Sequence, residues 1–163
     1  MSAPTLTRRY PLPSTIAGAP QEFYANVVVL QTLSQNWNRS EYKPRFSGRG
    51  KWWDGSAPHE IFCRPMTLGI SKRNIITLGA GMHRRDPIIM IHIFSRDVGA
   101  IDVMTEEVDR IIKDFGVNPA PGIQYILPSQ IPSQTLDEKE DDDAGVLFHN
   151  VVYVEVLYYK NKA

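Results

Sequence analysis

The feature that most constrains this chain lies between residues 87 and 115. An eight-residue apolar run, PIIMIHIF, passes through a polar break, SRDV, into an amphipathic segment. Side chains alternate along a strand, so Ile89, Ile91 and Ile93 point one way while Ile88, Met90, His92 and Phe94 point the other. Both faces are largely apolar. A strand with water on one side would carry a polar face, so the second face must also be covered, by the N-terminal helix or by a neighbouring subunit. Beyond the break, Ile101, Met104, Val108, Ile111, Ile112 and Phe115 recur at helical spacing, with Asp102, Glu106, Asp109 and Lys113 opposite. Asp97 is placed to cap this helix and Gly116 to end it. Asp109 and Lys113 form a favourable i,i+4 pair.

The remaining elements fall on either side of this strand–helix unit. Residues 1–19 hold three prolines and no periodicity, and read as an extended N-terminal arm, either disordered or laid across a partner. Phe23, Val27, Leu30, Leu33 and Trp37 predict a helix over 20–38, although the β-branched trio Val27, Val28, Val29 locally favours a strand. Residues 59–66 and 74–78 read as short strands. The glycine-rich segment that follows is a hairpin tip exposing His83, Arg84 and Arg85. Residues 118–122 form a turn, 123–127 a strand, 128–145 a protruding acidic loop and 146–159 a long last strand. On that strand Phe148, Val152, Val154, Val156 and Tyr158 share one face, and His149, Val151, Tyr153, Glu155 and Leu157 the other. A chain of 163 residues supports one core. The expectation is a single α+β domain over 20–163: a mixed, mainly antiparallel sheet with two helices packed on it, and long loops.

Net charge is zero but unevenly spread: residues 1–90 carry +7 and residues 91–163 carry −7. If the fold keeps these halves on different surfaces, copies can stack head to tail, positive patch on negative. Otherwise they are two solvated faces of a monomer. The loop 39–58 concentrates Arg39, Lys43, Arg45, Arg49 and Lys51 beside Tyr42, Phe46, Trp52 and Trp53. Cations interleaved with rings suit single-stranded nucleic acid, where bases stack and phosphates are tracked. They equally suit a protein interface, where Trp, Tyr and Arg are the usual anchors, or one core ring and one surface ring. The candidate interface residues are therefore Arg45, Arg49, Trp52 and Trp53 from this loop, and Arg84 and Arg85 from the hairpin. Met90, His92, His149 and Tyr153 join them from the second face of the sheet. The acid run Asp137, Glu138, Glu140, Asp141, Asp142, Asp143 lacks the alternation, central glycine and closing Glu of an EF-hand, and reads as a solvated, repelling loop.

Motifs of catalysis do not emerge. The single cysteine, Cys63, excludes an intramolecular disulfide and reads as a buried small hydrophobe. His59, His83, His92 and His149 have no metal-ligand spacing, although His92 and His149 are placed to face each other across the sheet. Gly79-Ala80-Gly81 lacks the Lys-Ser/Thr ending of a phosphate loop. No serine sits in a nucleophile elbow and no carboxylate pair stands apart. The sequence predicts no enzyme, no metal and no cofactor. No apolar run approaches the roughly 18 residues that span a bilayer, and the N-terminus lacks a signal pattern, so the expectation is a protein with no membrane partner, made in the cytoplasm.

Three features together carry a resemblance. They are Asn36-Trp37-Asn38 after the first helix, the strand PIIMIHIFSRD running into 98–115, and the pairing of IQYIL with FHNVVYVEVLYY across an acidic loop. In this the stretch from Pro20 to Tyr159 resembles the tail terminator, or tail completion, proteins of tailed viruses, including those of archaeal proviruses. The resemblance implies helices on a mixed sheet and assembly with itself into a ring, typically a hexamer. Such a ring caps the tail tube, meets the tube and neck proteins, and leaves a bore for double-stranded DNA. In that setting Asp137–Asp143 would line the bore or dock on a basic partner. Other head–tail connectors, adaptors and stoppers, share this size and ring form.

Overall fold

The structure, a computed structural model, describes residues 21–47, 57–66, 76–78, 82–135, 139–141 and 145–161. In chain order these form α1 (Gln21–Asn36), β1 (Arg45–Ser47), β2 (His59–Pro65), β3 (Ile76–Leu78), β4 (Met82–Arg85) and β5 (Ile88–Ser95). Then come α2 (Val98–Phe115), β6 (Val117–Ala120), β7 (Ile123–Pro128), β8 (Gln134–Thr135), β9 (Lys139–Asp141) and β10 (Gly145–Asn161). The fold is α+β. Every ladder of the sheet is antiparallel except β1–β2.

β10 is the spine, 17 residues long. One edge pairs with β5 over Phe148–Glu155 and with β4 over Tyr158–Asn161, and the two ladders keep a single register. β4 and β5 are therefore one strand interrupted at Asp86-Pro87, where proline has no N–H to donate. The Val156 N–H donates to the Pro87 carbonyl (3.1 Å) and carries the ladder across. This corrects the expectation for Arg84 and Arg85, which lie on a paired strand rather than at a hairpin tip. The other edge of β10 takes β7, β8 and β9 in turn. The segment 128–145 is thus not wholly a protruding loop, since Glu140 and Asp141 pair with Val146 and Gly145. Likewise 118–122 is not all turn: β6 pairs with β7.

Both helices lie on one face. Ile61, Cys63, Ile89, Ile91, Ile93, Val152, Val154, Val156 and Tyr158 from the sheet meet Ala25, Val28, Val29, Leu30 and Leu33 of α1, and Ala100, Ile101, Met104, Val108, Ile111 and Ile112 of α2. The contact stripe on α1 runs through Ala25, Val28, Val29 and Leu33, and Val27 is buried outside that cluster. Packing overrides the strand preference of the valine trio. The buried hydroxyl of Thr32 turns back to the Val28 carbonyl (2.8 Å), the usual way such a group is satisfied inside a helix.

A buried carboxylate joins the helices. Glu107, on α2, is 2% exposed. It accepts from the Asn38 N–H (2.9 Å) and from Arg110, whose guanidinium also donates to the Asn36 carbonyl (2.9 Å). Arg39 lies 3.6 Å away. Burial alone would raise the Glu107 pKa, but the hydrogen bonds from Arg110 and Asn38 and the charges of Arg110 and Arg39 outweigh it and hold the carboxyl below its ordinary value. Asn36-Trp37-Asn38 thus serves as the seam between α1 and α2, and the Trp37 indole donates to the Tyr42 carbonyl (2.8 Å) to hold the exit from α1. The expected Asp109–Lys113 pair does not form among the described residues. The ion pairs on this helix join Arg110 to Glu107 and Asp114.

α2 begins and ends where its sequence marks it. Asp97 accepts from the Gly99 N–H (2.9 Å). Gly116 is required for space rather than for an unusual φ: its carbonyl accepts from Ile126 (2.7 Å), and an added Cβ would lie 2.3 Å from the Ile126 carbonyl oxygen and 2.4 Å from that of Ile112. Gly116→Ala should therefore cost about 1–3 kcal/mol through a forced backbone shift. Gly99→Ala, whose Cβ would meet only Asp97 Oδ1 at 3.4 Å, should gain roughly 0.5–1 kcal/mol. Urea unfolding midpoints of the two variants should move in opposite directions; equal shifts would refute the close-approach account.

Candidate functional site

The face of the sheet away from the helices is where the sequence placed four interface residues. Register sets Phe94 opposite His149, His92 opposite Val151 and Phe62, and Met90 opposite Tyr153. Phe62, His92, Phe94 and Val151 are buried within the single chain. Ile88, Val151 and Tyr153 form a cluster of their own, against which Met66, Met90 and Ile131 pack. The Tyr153 hydroxyl is 3.3 Å from Gln134 Oε1. Neither expected cover is needed here: α1 lies with α2 on the opposite face, and no neighbouring subunit is required to bury these side chains. His92 and Tyr153 are interior, and Met90 and His149 half-buried, so this part of the face presents little to a partner.

His92 and His149 do meet. The Nδ1 of His92 is 2.8 Å from the Nε2 of His149, and the Phe94 ring stacks on His149 at 4.1 Å between centroids. One ring donates and the other accepts, which requires that at least one be neutral. Burial pushes the pKa of His92 down to about 3, helped by the charges of His149 and Arg64, and that of His149 down to about 4. Two imidazoles make half a metal site, and among the described residues no group of three potential ligands occurs. Cys63 is buried, and burial raises its thiol pKa far above the ordinary value. No described helix is long and apolar enough to cross a membrane.

The other candidates divide. Arg45, on β1, is ion-paired with the fully buried Glu60, which also accepts from the Ser47 hydroxyl, so its charge is spent on holding β1 to β2. Arg84 and Arg85 pair through their backbones with Tyr159 and Tyr158. Arg49, Trp52 and Trp53 lie outside the described residues, as do Asp137, Glu138, Asp142 and Asp143. Among the described residues the two charge halves touch: β2, from the basic half, pairs with β5, whose greater part lies in the acidic half, α1 packs on α2, and Arg39 meets Glu107 across the divide.

Beyond Tyr153 the same face opens. Val117 is 63% exposed, Tyr125 38% and Leu127 45%. Tyr125 pairs with both Val117 and Leu157, and Leu127 with Glu155, so these side chains continue the second face across β10, β7 and β6. None of these three side chains is among the candidates that the sequence offers. The signal of this surface is the absence of charge: residues 115–136 contain no Asp, Glu, Lys or Arg, where the average charged content of 22% would place about five. Core regions of interfaces show that depletion.

No protein-family model matches the sequence, and no curated protein matches it.

The histidine pair makes a pH prediction. Both rings take up a proton less readily folded than at the ordinary value of 6.5. The unfolded chain therefore binds protons first, and the stability from keeping them neutral is full above that value and lost as pH falls toward about 4 and about 3. The urea midpoint should drop between neutral pH and pH about 5, while the two imidazole NMR signals stay flat. His92→Phe/His149→Phe should lessen the drop. Titration of either ring near its ordinary value would refute the account.

Proposed function

We propose that this chain is a structural virion subunit of the tail-terminator kind, forming a homo-oligomeric ring that ends the tail tube, connects it to the neck and leaves a channel for DNA. The observation that carries the proposal is the order of elements on an α+β framework. α1, the basic segment, β2, β5, α2, β7, the acidic segment and β10 follow one another as in the resemblance, with both helices on one face of a mixed sheet. The ring would block further tube subunits by occupying the end that they add to. Asp137–Asp143 would either keep DNA sliding in the bore by like-charge repulsion or dock on a basic partner. Its partners would be copies of itself, the tube protein and the neck proteins. The work asked of the chain is assembly, not catalysis. An adaptor or stopper of the same head–tail junction is the nearest variant of this reading.

A nucleic-acid module built on the basic loop is the competing class, and the pairing of Arg45 with Glu60 removes one of its cations. Light scattering on the purified protein, at low and moderate salt and with single-stranded DNA added, separates the two. A particle near six times 18.5 kDa that ignores DNA supports the ring. A monomer whose DNA binding weakens steeply with salt overturns it in favour of the module. A monomer under every condition overturns a ring formed ahead of assembly.

A further inference from the structure

We propose that His59 is a proton-operated latch on the entry to α2: when neutral its ring is held by the Ser95 hydroxyl, and when charged it turns to the Asp97 carboxylate that caps the helix. The inference goes beyond the ring reading and does not rest on it. His59, the first residue of β2, lies opposite Ser95, the last residue of β5. By alternation both side chains fall on the face that carries Ile61, Cys63 and Ile93, toward the helices. The Nδ1 of His59 is 2.8 Å from the Ser95 Oγ, and that oxygen also accepts from the Asp97 N–H (3.0 Å). Asp97 in turn accepts from the Gly99 N–H in the first turn of α2. The His59 ring also meets the Tyr42 ring edge to face, 5.4 Å between centroids, and the Tyr42 carbonyl is held by Trp37 at the exit of α1. One titratable ring therefore stands between the exit of α1 and the entry of α2.

The direction of the bond follows from counting protons. Ser95 is fully buried, and its hydroxyl has a single hydrogen. With Oγ accepting from Asp97, that hydrogen is satisfied by donating to His59 Nδ1, which places the imidazole hydrogen on Nε2. A further proton on the ring arrives at Nδ1 and turns this acceptor into a donor, so the buried Ser95 O–H loses its partner. Asp97 offers the charged ring a better one. Burial pushes proton uptake by His59 below the ordinary value of 6.5, and the charge of Asp97 acts against burial by favouring the protonated form. Tyr42 is the other titratable group at the ring, and Arg45 is paired with Glu60 on the opposite face of β2. A ring drawn to the carboxylate competes with the Gly99 N–H for it and loosens the cap. Because the unfolded chain binds this proton first, the stability that the latch contributes is full above 6.5 and lost as pH falls through the folded value.

NMR of the full chain with labelled histidine ring nitrogens, taken from about pH 8 to about pH 4, tests it. Expected are a neutral His59 ring with its hydrogen on Nε2, a midpoint below 6.5, and a Gly99 amide signal that moves with the same midpoint. In His59→Phe that amide movement should vanish, which separates it from the His92–His149 pair and from Asp97 itself. Ser95→Ala removes the bond to the neutral ring and should raise the midpoint. Asp97→Asn keeps a capping side chain, removes the charge and should lower the midpoint. The two variants pull in opposite directions, so either one that folds reads the latch by itself. A ring hydrogen on Nδ1 at neutral pH, a midpoint at or above 6.5, or a Gly99 amide that stays flat while His59 titrates overturns the proposal. So does a midpoint that a folded variant leaves in place.

Discussion

A strand of 17 residues has backbone donors and acceptors along both edges, and a buried group of that kind left unpaired costs as much as a lost hydrogen bond. Satisfying β10 on both sides is the requirement to which the rest of this chain answers. One edge is met by a strand split only where Pro87 lacks a donor, and the Val156–Pro87 bond closes the gap. The other is met piecemeal by β7, β8 and β9 as the chain returns through its polar segment. Because side chains alternate, β10 then carries two continuous rows: one under the helices from Val152 to Tyr158, and one on the second face from His149 to Leu157.

Two buried carboxylates hold what the ladder cannot. Glu60 with Arg45 fastens the parallel edge strand β1, and Glu107 with Arg110 fastens the end of α1 to α2. Pairs of this sort add little net stability over an apolar replacement, yet removing one partner leaves a costly buried charge. Their effect is to specify which segments meet. Two cations of the basic loop take part: Arg45 is paired with the buried Glu60, and Arg39 lies 3.6 Å from Glu107.

The parts of this arrangement legible in the sequence are those with strong periodicity. The alternation of PIIMIHIF and the stripe of α2 gave both elements and the α+β class, and the position of His92 and His149 on neighbouring strands followed from it. Elements whose composition opposes their state were not legible. β6 reads Val-Asn-Pro-Ala, turn residues by intrinsic preference, and is a strand because β7 lies beside it. β4 reads as a hairpin tip because glycines precede it and a proline follows. α1 is buried nearly all round between Ala25 and Leu30, so its periodicity could not say which side meets the core. Glu107 was not singled out, because nothing in the sequence sets it apart from its neighbour Glu106. The need for a cover on the second face was correctly inferred, but composition cannot tell a cover from the same chain from one on a neighbour.

That distinction decides which physical force assembly can use. Charge halves on separate surfaces would let copies attract through complementary patches, and exposed charges more than about 8–10 Å apart are screened at physiological salt. Among the described residues the two halves are in contact, and with Phe62, His92, Phe94 and Tyr153 buried within the chain, the exposed large apolar side chains of the second face are Val117, Tyr125 and Leu127. Burial of apolar area is insensitive to modest salt and is strengthened by excluded salts such as sulfate. Any contact that buries Val117, Tyr125 and Leu127 would therefore hold or tighten as ionic strength rises, where a head-to-tail electrostatic stack would come apart.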